Sequence, residues 1–212
     1  GSDTLCAGDS TVLFVSGASS YTWSTNQMGP AISVTANATS VYTVSTHEAP
    51  CPVVSETIQV VAAPVPQPTI TPGASTICVG SLASFTATGA QGYIWNTASM
   101  GDTTNFVVQN DFTVMVIGFS PFGCVGIDSA YVTARPLPVI TVLTNTAEVC
   151  AGNTFSYMAT GAGTYSWNGV SAPASGTLMP STSGSYTLSG SDSFGCESFA
   201  ITNITVYSLP AV

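Results

Sequence analysis

The chain repeats its own pattern three times, with a period of 72 residues. The stretch Cys6–Trp23 returns as Cys78–Trp95 and as Cys150–Trp167, and each copy has a cysteine, two glycines, a tyrosine and a tryptophan at the same spacing. Seventy-two residues suffice for a small domain with its own core. The period therefore predicts three domains of one kind. Their predicted ranges are 3–65, 66–137 and 138–212.

The junctions between the repeats are rich in proline, at Pro66, Pro138 and Pro210. Proline fixes φ and stiffens a linker, so we expect the repeats to stack end to end as a semi-rigid rod. Strand-like segments precede Cys78 and Cys150, whereas only a short one precedes Cys6. We therefore expect the first strand of the first repeat to be truncated and the chain to sample a longer array.

The pattern of apolar residues predicts an all-β chain. No segment carries apolar residues at helical spacing over three turns, while β-branched and aromatic residues alternate with polar ones throughout. Short strands at regular spacing, with turn residues between them, are typical of a β-sandwich. The repeated tyrosine and tryptophan are two residues apart and share one face of a strand. The predicted core aromatics are Tyr21, Trp23, Tyr93, Trp95, Tyr165 and Trp167.

Composition excludes several classes of function. The chain has no lysine, its single arginine is Arg135, and its net charge is −9, so it lacks the basic side chains that bind nucleic acid. No apolar run is long enough to span a bilayer, so we expect no direct membrane insertion. The only histidine is His47, and the ten acidic residues are dispersed. We therefore predict no enzyme activity, no metal site and no cofactor.

Each repeat contains two cysteines, 45 or 46 residues apart, and none has the close spacing of a zinc site. An even number repeated in each repeat predicts disulfides and an oxidising, extracytoplasmic compartment. The predicted disulfide residues are Cys6, Cys51, Cys78, Cys124, Cys150 and Cys196.

Two pairings are compatible with this spacing. Pairing within each repeat (Cys6–Cys51, Cys78–Cys124, Cys150–Cys196) is favoured, because each repeat then closes on itself and no thiol remains. Against it, a standard sandwich places the two cysteines at opposite ends, about 20 Å apart for strands of six residues. The alternative joins neighbouring repeats through Cys6–Cys124 and Cys78–Cys196, and leaves Cys51 and Cys150 unpaired.

The repeated pattern C-x-G, G-x-x-x-Y-x-W, then Tyr-Thr-Val and a cysteine before the last strand resembles the immunoglobulin-like repeats of large surface proteins of the Bacteroidota, which are similar to PKD domains. Residues that carry the resemblance include Cys6, Gly8, Tyr21, Trp23 and Tyr42. The resemblance implies tandem immunoglobulin-like sandwiches in an extracellular protein of the bacterial cell surface. Such repeats occur in gliding adhesins and in other cargo of type IX secretion.

The predicted function is a structural stalk or adhesin segment of a large surface or filament protein. Expected partners are the neighbouring immunoglobulin-like repeats of the same chain, with cell-surface glycans or proteins as further candidates. The alternative is a carbohydrate-binding accessory module of a secreted enzyme, because Phe119, Phe122 and Phe194 lie near the second cysteine. A cover over the disulfide is the other interpretation of these rings.

Overall fold

The structure is a computed structural model that describes residues 2–47 and 50–209. These residues form 21 strands, and no helix occurs among them. The all-β prediction is thus confirmed. The expectations that concern Ala211, Val212 and the third junction proline, Pro210, lie outside the described residues.

The strands follow the repeats along the chain. The first repeat contains β1 (Ser2–Cys6), β2 (Ser10–Phe14), β3 (Tyr21–Trp23), β4 (Ala31–Thr35), β5 (Ser40–Thr46) and β6 (Ser55–Ala63). The second contains β7 (Thr69–Thr71), β8 (Ala74–Cys78), β9 (Leu82–Thr88), β10 (Gly92–Trp95), β11 (Thr103–Val107), β12 (Phe112–Phe119) and β13 (Val125–Arg135). The third contains β14 (Thr141–Thr144), β15 (Glu148–Cys150), β16 (Phe155–Thr160), β17 (Thr164–Trp167), β18 (Val170–Ala172), β19 (Ser175–Leu178), β20 (Gly184–Ser191) and β21 (Glu197–Tyr207).

Each repeat is an immunoglobulin-like sandwich of two sheets. The larger sheets have the orders β1-β6-β5-β3, β10-β12-β13-β8 and β15-β21-β20-β17-β18, and the smaller ones β2-β4, β11-β9-β7 and β14-β16-β19. In the first and third repeats the strand that ends in the first cysteine runs parallel to the last strand, with Cys6 opposite Ala63 and Cys150 opposite Tyr207. The pairs β5–β6, β10–β12 and β12–β13 of the larger sheets are antiparallel.

The cores lie between the two sheets of each repeat. In the first repeat, Leu13 and Val34 of the smaller sheet pack with Trp23 and Val60 of the larger one. The second repeat buries Phe85, Trp95, Val114, Val116 and Val132, and the third buries Phe155, Tyr157, Trp167, Leu188 and Ile204. Of the predicted core aromatics, five are buried and Tyr93 is half-buried.

The recurring tyrosine binds the turn that precedes it. The backbone N–H of Ala90 donates to the Tyr93 hydroxyl at 2.8 Å, and Ala162 donates to Tyr165 at 2.9 Å. Ala18 makes the equivalent bond to Tyr21. The tyrosine therefore has two roles: its ring packs in the core, and its hydroxyl accepts a hydrogen bond from the turn. This double role explains why glycine and tyrosine recur together, four residues apart.

The recurring tryptophan is bonded differently in the third repeat. The indole Nε1–H of Trp23 donates to Gly29 and that of Trp95 to Gly101, at 3.0 and 2.9 Å. Trp167 has no such partner among the described residues, although its Nε1 is buried. Here the hydroxyl of Tyr157 donates instead to the carbonyl of Pro173, the position equivalent to Gly101.

The chain packs as two compact units whose border passes through the second repeat. The first unit comprises Gly1–Ser75, Leu82–Phe106 and Phe112–Val132, and the second comprises Thr76–Ser81, Val107–Asp111 and Thr133–Val212. The region where the first two repeats meet thus lies inside the first unit, and the region where the second and third meet lies inside the second. The domain boundaries at 3–65, 66–137 and 138–212, and their end-to-end stacking, stay predictions.

Within the described residues, the first repeat has no counterpart of β7 and β14, the strands that pair with β9 and β16 in the other repeats. Its smaller sheet consists of β2 and β4 alone.

Candidate functional site: the disulfide junctions

The two disulfides join neighbouring repeats. Cys6 is bonded to Cys124 and Cys78 to Cys196, each pair separated by 118 residues and with 5.5 Å between the Cα atoms. The favoured pairing within repeats, Cys6–Cys51, Cys78–Cys124 and Cys150–Cys196, is therefore wrong. The pairing between neighbours is the one that the structure contains. We call the region around Cys6–Cys124 the first junction and that around Cys78–Cys196 the second junction.

The length of the last strand prevents closure within a repeat. In the third repeat Cys196 immediately precedes β21, whereas Cys150 lies opposite Tyr207, the last residue of that strand. The strand has 11 residues, so its ends are about 33 Å apart at roughly 3.3 Å per residue. A disulfide needs Cα atoms within about 7 Å of each other. The two cysteines of a repeat consequently face opposite neighbours.

The first cysteine of each repeat lies at the start of a tight turn with the same geometry in all three copies. The N–H three residues on donates to the cysteine carbonyl, from Asp9 to Cys6 at 2.9 Å, from Ser81 to Cys78 at 3.0 Å and from Asn153 to Cys150 at 3.0 Å. The glycine within this turn has positive φ in each repeat, between 85° and 95°. Only glycine adopts that conformation without strain, which accounts for the C-x-G pattern.

The second cysteine is held by a side chain four residues before it. At the second junction, Asp192 Oδ1 accepts the N–H groups of Phe194 and Cys196 at 2.8 and 3.0 Å. Ser120 Oγ accepts those of Phe122 and Cys124 at 3.3 and 3.1 Å at the first junction. An oxygen at this position therefore shapes the turn that presents the cysteine, and Cys124 and Cys196 are both buried.

Arg135 forms the only ion pair that the described residues contain, and it does so at the second junction. Its Nε donates to Asp192 Oδ2 at 2.8 Å, and its guanidinium lies 3.4 Å from the centroid of the Phe194 ring. The hydrogen bond from Arg135 lowers the pKa of the Asp192 carboxyl below its usual value, helped by the N–H groups of Phe194 and Cys196. This role of Arg135 was not predicted, because its partner lies 57 residues away in the sequence.

Cys51 and Cys150 are exposed and belong to no disulfide. They were predicted to be disulfide-bonded, and the structure corrects this for the chain taken by itself. The reason is the direction of the pairing: the first cysteine of a repeat reaches forward to the next repeat, and the second reaches back to the previous one.

The structure shows what the single histidine and two of the acidic residues contact. His47 is exposed, and its carbonyl accepts the Ser20 hydroxyl at 2.6 Å. Asp128 and Asp111 bind backbone N–H groups, of Ile70 and Ala134. In the ranges 2–47 and 50–209, no three His, Cys, Asp or Glu side chains are grouped so that they could hold a metal ion.

The three loop phenylalanines occupy different environments. Phe119 is half-buried, while Phe122 and Phe194 are 60% and 64% exposed. One face of Phe194 is taken by the Arg135 guanidinium. Phe122 is therefore the ring that a sugar could stack on.

Two disulfides in immunoglobulin-like domains indicate an extracellular protein, because the cytosol keeps thiols reduced. Among the described residues there is no helix with the length and apolarity to cross a membrane.

No protein-family model matches the chain, and no curated protein matches it in sequence. Several solved tandem immunoglobulin structures are similar to it. An I-band fragment of titin aligns with a TM-score of 0.43 and 12% identity, over 97% of this chain and 95% of that one. The ectodomain of mouse nectin-like molecule 4, with three Ig domains, aligns with a TM-score of 0.36 and 14% identity, over 100% and 99%.

The N-terminal eight Ig domains of Down Syndrome Cell Adhesion Molecule align with a TM-score of 0.33 and 11% identity, over 98% of this chain. The chain spans 40% of the length of that structure.

Proposed function

We propose that the chain is a segment of immunoglobulin-like repeats, cross-linked by disulfides between neighbours, in the stalk of a large extracellular bacterial protein. There it serves as a spacer or as part of an adhesin or filament. The observation that carries the proposal is the pairing of the disulfides between neighbouring repeats. A domain that needs a disulfide only for its own stability closes it within itself. A disulfide between two domains instead restricts how far the ends of the chain can separate.

The restriction follows from the two overlapping loops. With both disulfides closed, the shortest covalent path from end to end runs through residues 1–6, 78–124 and 196–212, about 70 of the 212 residues. At about 3.5 Å per extended residue, even a fully unfolded chain reaches only about 240 Å, compared with about 740 Å after reduction. Such a chain transmits tension while most of its residues carry none, which suits a stalk under load.

The resemblance of the repeats to surface proteins of the Bacteroidota supports export by type IX secretion and a place on the cell surface, including gliding adhesins. The excess of serine and threonine over charged residues fits an exposed sheet surface whose polar groups are hydroxyls. There are 58 hydroxyl residues and only 11 with Asp, Glu, Lys or Arg side chains.

Single-molecule stretching tests this role. We expect oxidised molecules held at both ends to reach about a third of the contour length of reduced molecules, and their repeats to unfold at clearly higher force than after reduction. A chain that unfolds at equally low force in both states would not be a load-bearing segment, whatever its disulfides.

A carbohydrate-binding accessory module is the second candidate, favoured by the exposure of the Phe122 ring. Aromatic rings bind the apolar faces of sugars, and Phe122 sits on a turn held by Ser120. A glycan array with the native chain and with Phe122→Ala tests this. Binding that is lost in Phe122→Ala supports the module, and an array without signal excludes it for the glycans present.

A further inference from the structure

The first repeat has an open sheet edge at a place where the other two repeats have a strand. In those repeats β7 pairs with β9, and β14 pairs with β16. β2 is the counterpart of β9 and β16, and among the described residues it pairs with β4 alone. The smaller sheet of the first repeat therefore has a place for one more strand, beside β2.

A cavity of about 480 Å³ lies beside this open edge. Its lining includes Val15 after β2, Trp23 of β3 and Ile58 of β6, so it reaches from the smaller sheet to the larger one. Ile58 is half-buried, while its counterpart in the second repeat, Ala130, is buried. At this edge the apolar interior of the first repeat is thus less covered than that of the second.

The strands β7 and β14 show what kind of segment fits this place. Each has one apolar residue at the centre of its pairing, Ile70 opposite Ala87 and Val142 opposite Ala159. Ile70 is 3% exposed, and Val142 packs against the core of its repeat. Val15 is the counterpart of the two alanines and lines the cavity. The fitting segment is therefore an extended one, with a β-branched aliphatic residue opposite Val15.

A carboxylate marks where the backbone of such a strand lies. In the second repeat Asp128 Oδ2 accepts the N–H of Ile70 at 2.7 Å, although the two residues are 58 positions apart. Glu56 is the counterpart of Asp128, because each lies opposite the equivalent valine of the preceding strand, Val44 or Val116. Glu56 is exposed and lines the cavity. Its carboxylate is thus placed to accept the N–H of a residue equivalent to Ile70.

We propose that the first repeat takes up one further strand, supplied by the part of the protein that precedes it in the array. This strand lies antiparallel to β2, with one aliphatic side chain in the cavity and the N–H of that residue bound to Glu56. The inference deepens the proposed structural role and rests on it. The third repeat has Ala200 at the position of Glu56, so the carboxylate strengthens the binding of the strand without being required for it.

The test supplies such a strand to the full chain. Residues 64–74, which contain β7, replace the first two residues, so that the strand has the same spacing to Cys6 as β7 has to Cys78. A second graft is identical except for Ile70→Asp within the grafted segment. Hydrogen exchange of residues 10–16 is measured at concentrations at which the chains are monomeric. Peptide mapping of the two disulfides checks that each variant has folded.

The first graft should slow the exchange of residues 10–16 at least about ten-fold relative to the unchanged chain, because the added strand covers the edge of β2. The graft with Ile70→Asp should give little protection, since a carboxylate would have to enter an apolar cavity. Glu56→Ala in the first graft should reduce the protection about three-fold, through the loss of one hydrogen bond. Glu148→Ala, at an exposed glutamate of the third repeat, is the matched control and should leave the protection unchanged.

Three results would overturn the inference: exchange that the first graft leaves unchanged, equal protection by the graft with Ile70→Asp, or protection that appears only where two grafted chains associate. Equal effects of Glu56→Ala and Glu148→Ala would overturn the role of Glu56. All variants keep both internal disulfides, which produce the expected stretching behaviour. A failure of this inference is therefore distinguishable from a failure of the proposed function.

Discussion

The two junctions contain equivalent disulfides but differ in the contacts around them. At the first junction, Gly126 lies so close to the linker that a Cβ atom would overlap the Pro66 carbonyl and come within 2.8 Å of Pro68 Cδ. At the second, the equivalent position is Ser198, which accommodates a side chain, and Arg135 binds Asp192 and Phe194 instead. A glycine packed against the linker backbone is common to both junctions, at Gly89 and at Gly161. The junctions therefore differ in one further contact each, the backbone contact of Gly126 at the first and the ion pair of Arg135 at the second.

The difference teaches which part of the junction is essential. The cysteines, the glycine turn and the oxygen four residues before the second cysteine recur at both junctions, while the surrounding contacts are exchanged. The disulfide and the turns that carry its cysteines are therefore common to both junctions, whereas the packing and charged contacts around them differ. Four predictions test this comparison.

The largest effect is expected from removing one disulfide. In the chain-entropy model, a closed loop of 118 residues contributes about 4 to 5 kcal/mol, so Cys6→Ser/Cys124→Ser and Cys78→Ser/Cys196→Ser should each lose about that much. Urea denaturation followed by tryptophan fluorescence measures the loss. Cys51→Ser is the control and should change nothing. If only one double variant is destabilised, the disulfides are not equivalent devices and the comparison fails.

The close contact at the first junction predicts a smaller effect. Gly126→Ala places a methyl group against the Pro66 carbonyl and should cost about 1–3 kcal/mol, the usual range for overpacking. Ser198→Ala, its counterpart in the third repeat, should stay within about 0.5 kcal/mol. Thermal unfolding of the two variants side by side is the measurement. Equal tolerance at both positions would contradict the difference between the junctions.

The ion pair at the second junction predicts an effect that salt reduces. Asp192→Ser retains an oxygen for the turn, as Ser120 does at the first junction, but removes the partner of Arg135. We expect a small loss of stability in Asp192→Ser and in Arg135→Ala, with little further loss when the two are combined, because both remove one interaction. Raising the ionic strength should reduce each loss. Additive losses would show that the pair does not act as a unit.

The smallest effect is expected from acid. Because Arg135 lowers the pKa of Asp192 in the folded chain, this contribution to stability is fully present above the unfolded value of about 3.9 and is lost as the pH falls through the folded pKa. Denaturation midpoints between pH 5 and pH 2 should fall more steeply for the native chain than for Asp192→Ser. Parallel curves would remove Asp192 as the source of the difference.

Much of the fold could be predicted from the repeat alone. The period located every first cysteine and the tryptophan that follows it, and the alternation of apolar and polar residues predicted strands, of which Trp23, Trp95 and Trp167 are buried members. Local patterns succeed here because every second side chain of a strand lies on the same face, so the buried positions recur with a period of two. Local patterns do not predict the change of hydrogen-bond donor in the third repeat. Trp95 donates to the carbonyl of Gly101, whereas at the equivalent carbonyl, that of Pro173, the donor is Tyr157. Which of the two side chains reaches this acceptor depends on how they pack in three dimensions.

The sequence by itself determined the number of repeats, the all-β class and the scarcity of basic side chains, since each follows from composition or from a period along the chain. Only the tertiary structure decided the pairing of the cysteines and the role of Arg135. Equal spacing of Cys6, Cys78 and Cys150 is compatible with closure inside a repeat or between repeats. The choice depends on the 11-residue last strand, which places the two cysteines of a repeat at opposite ends.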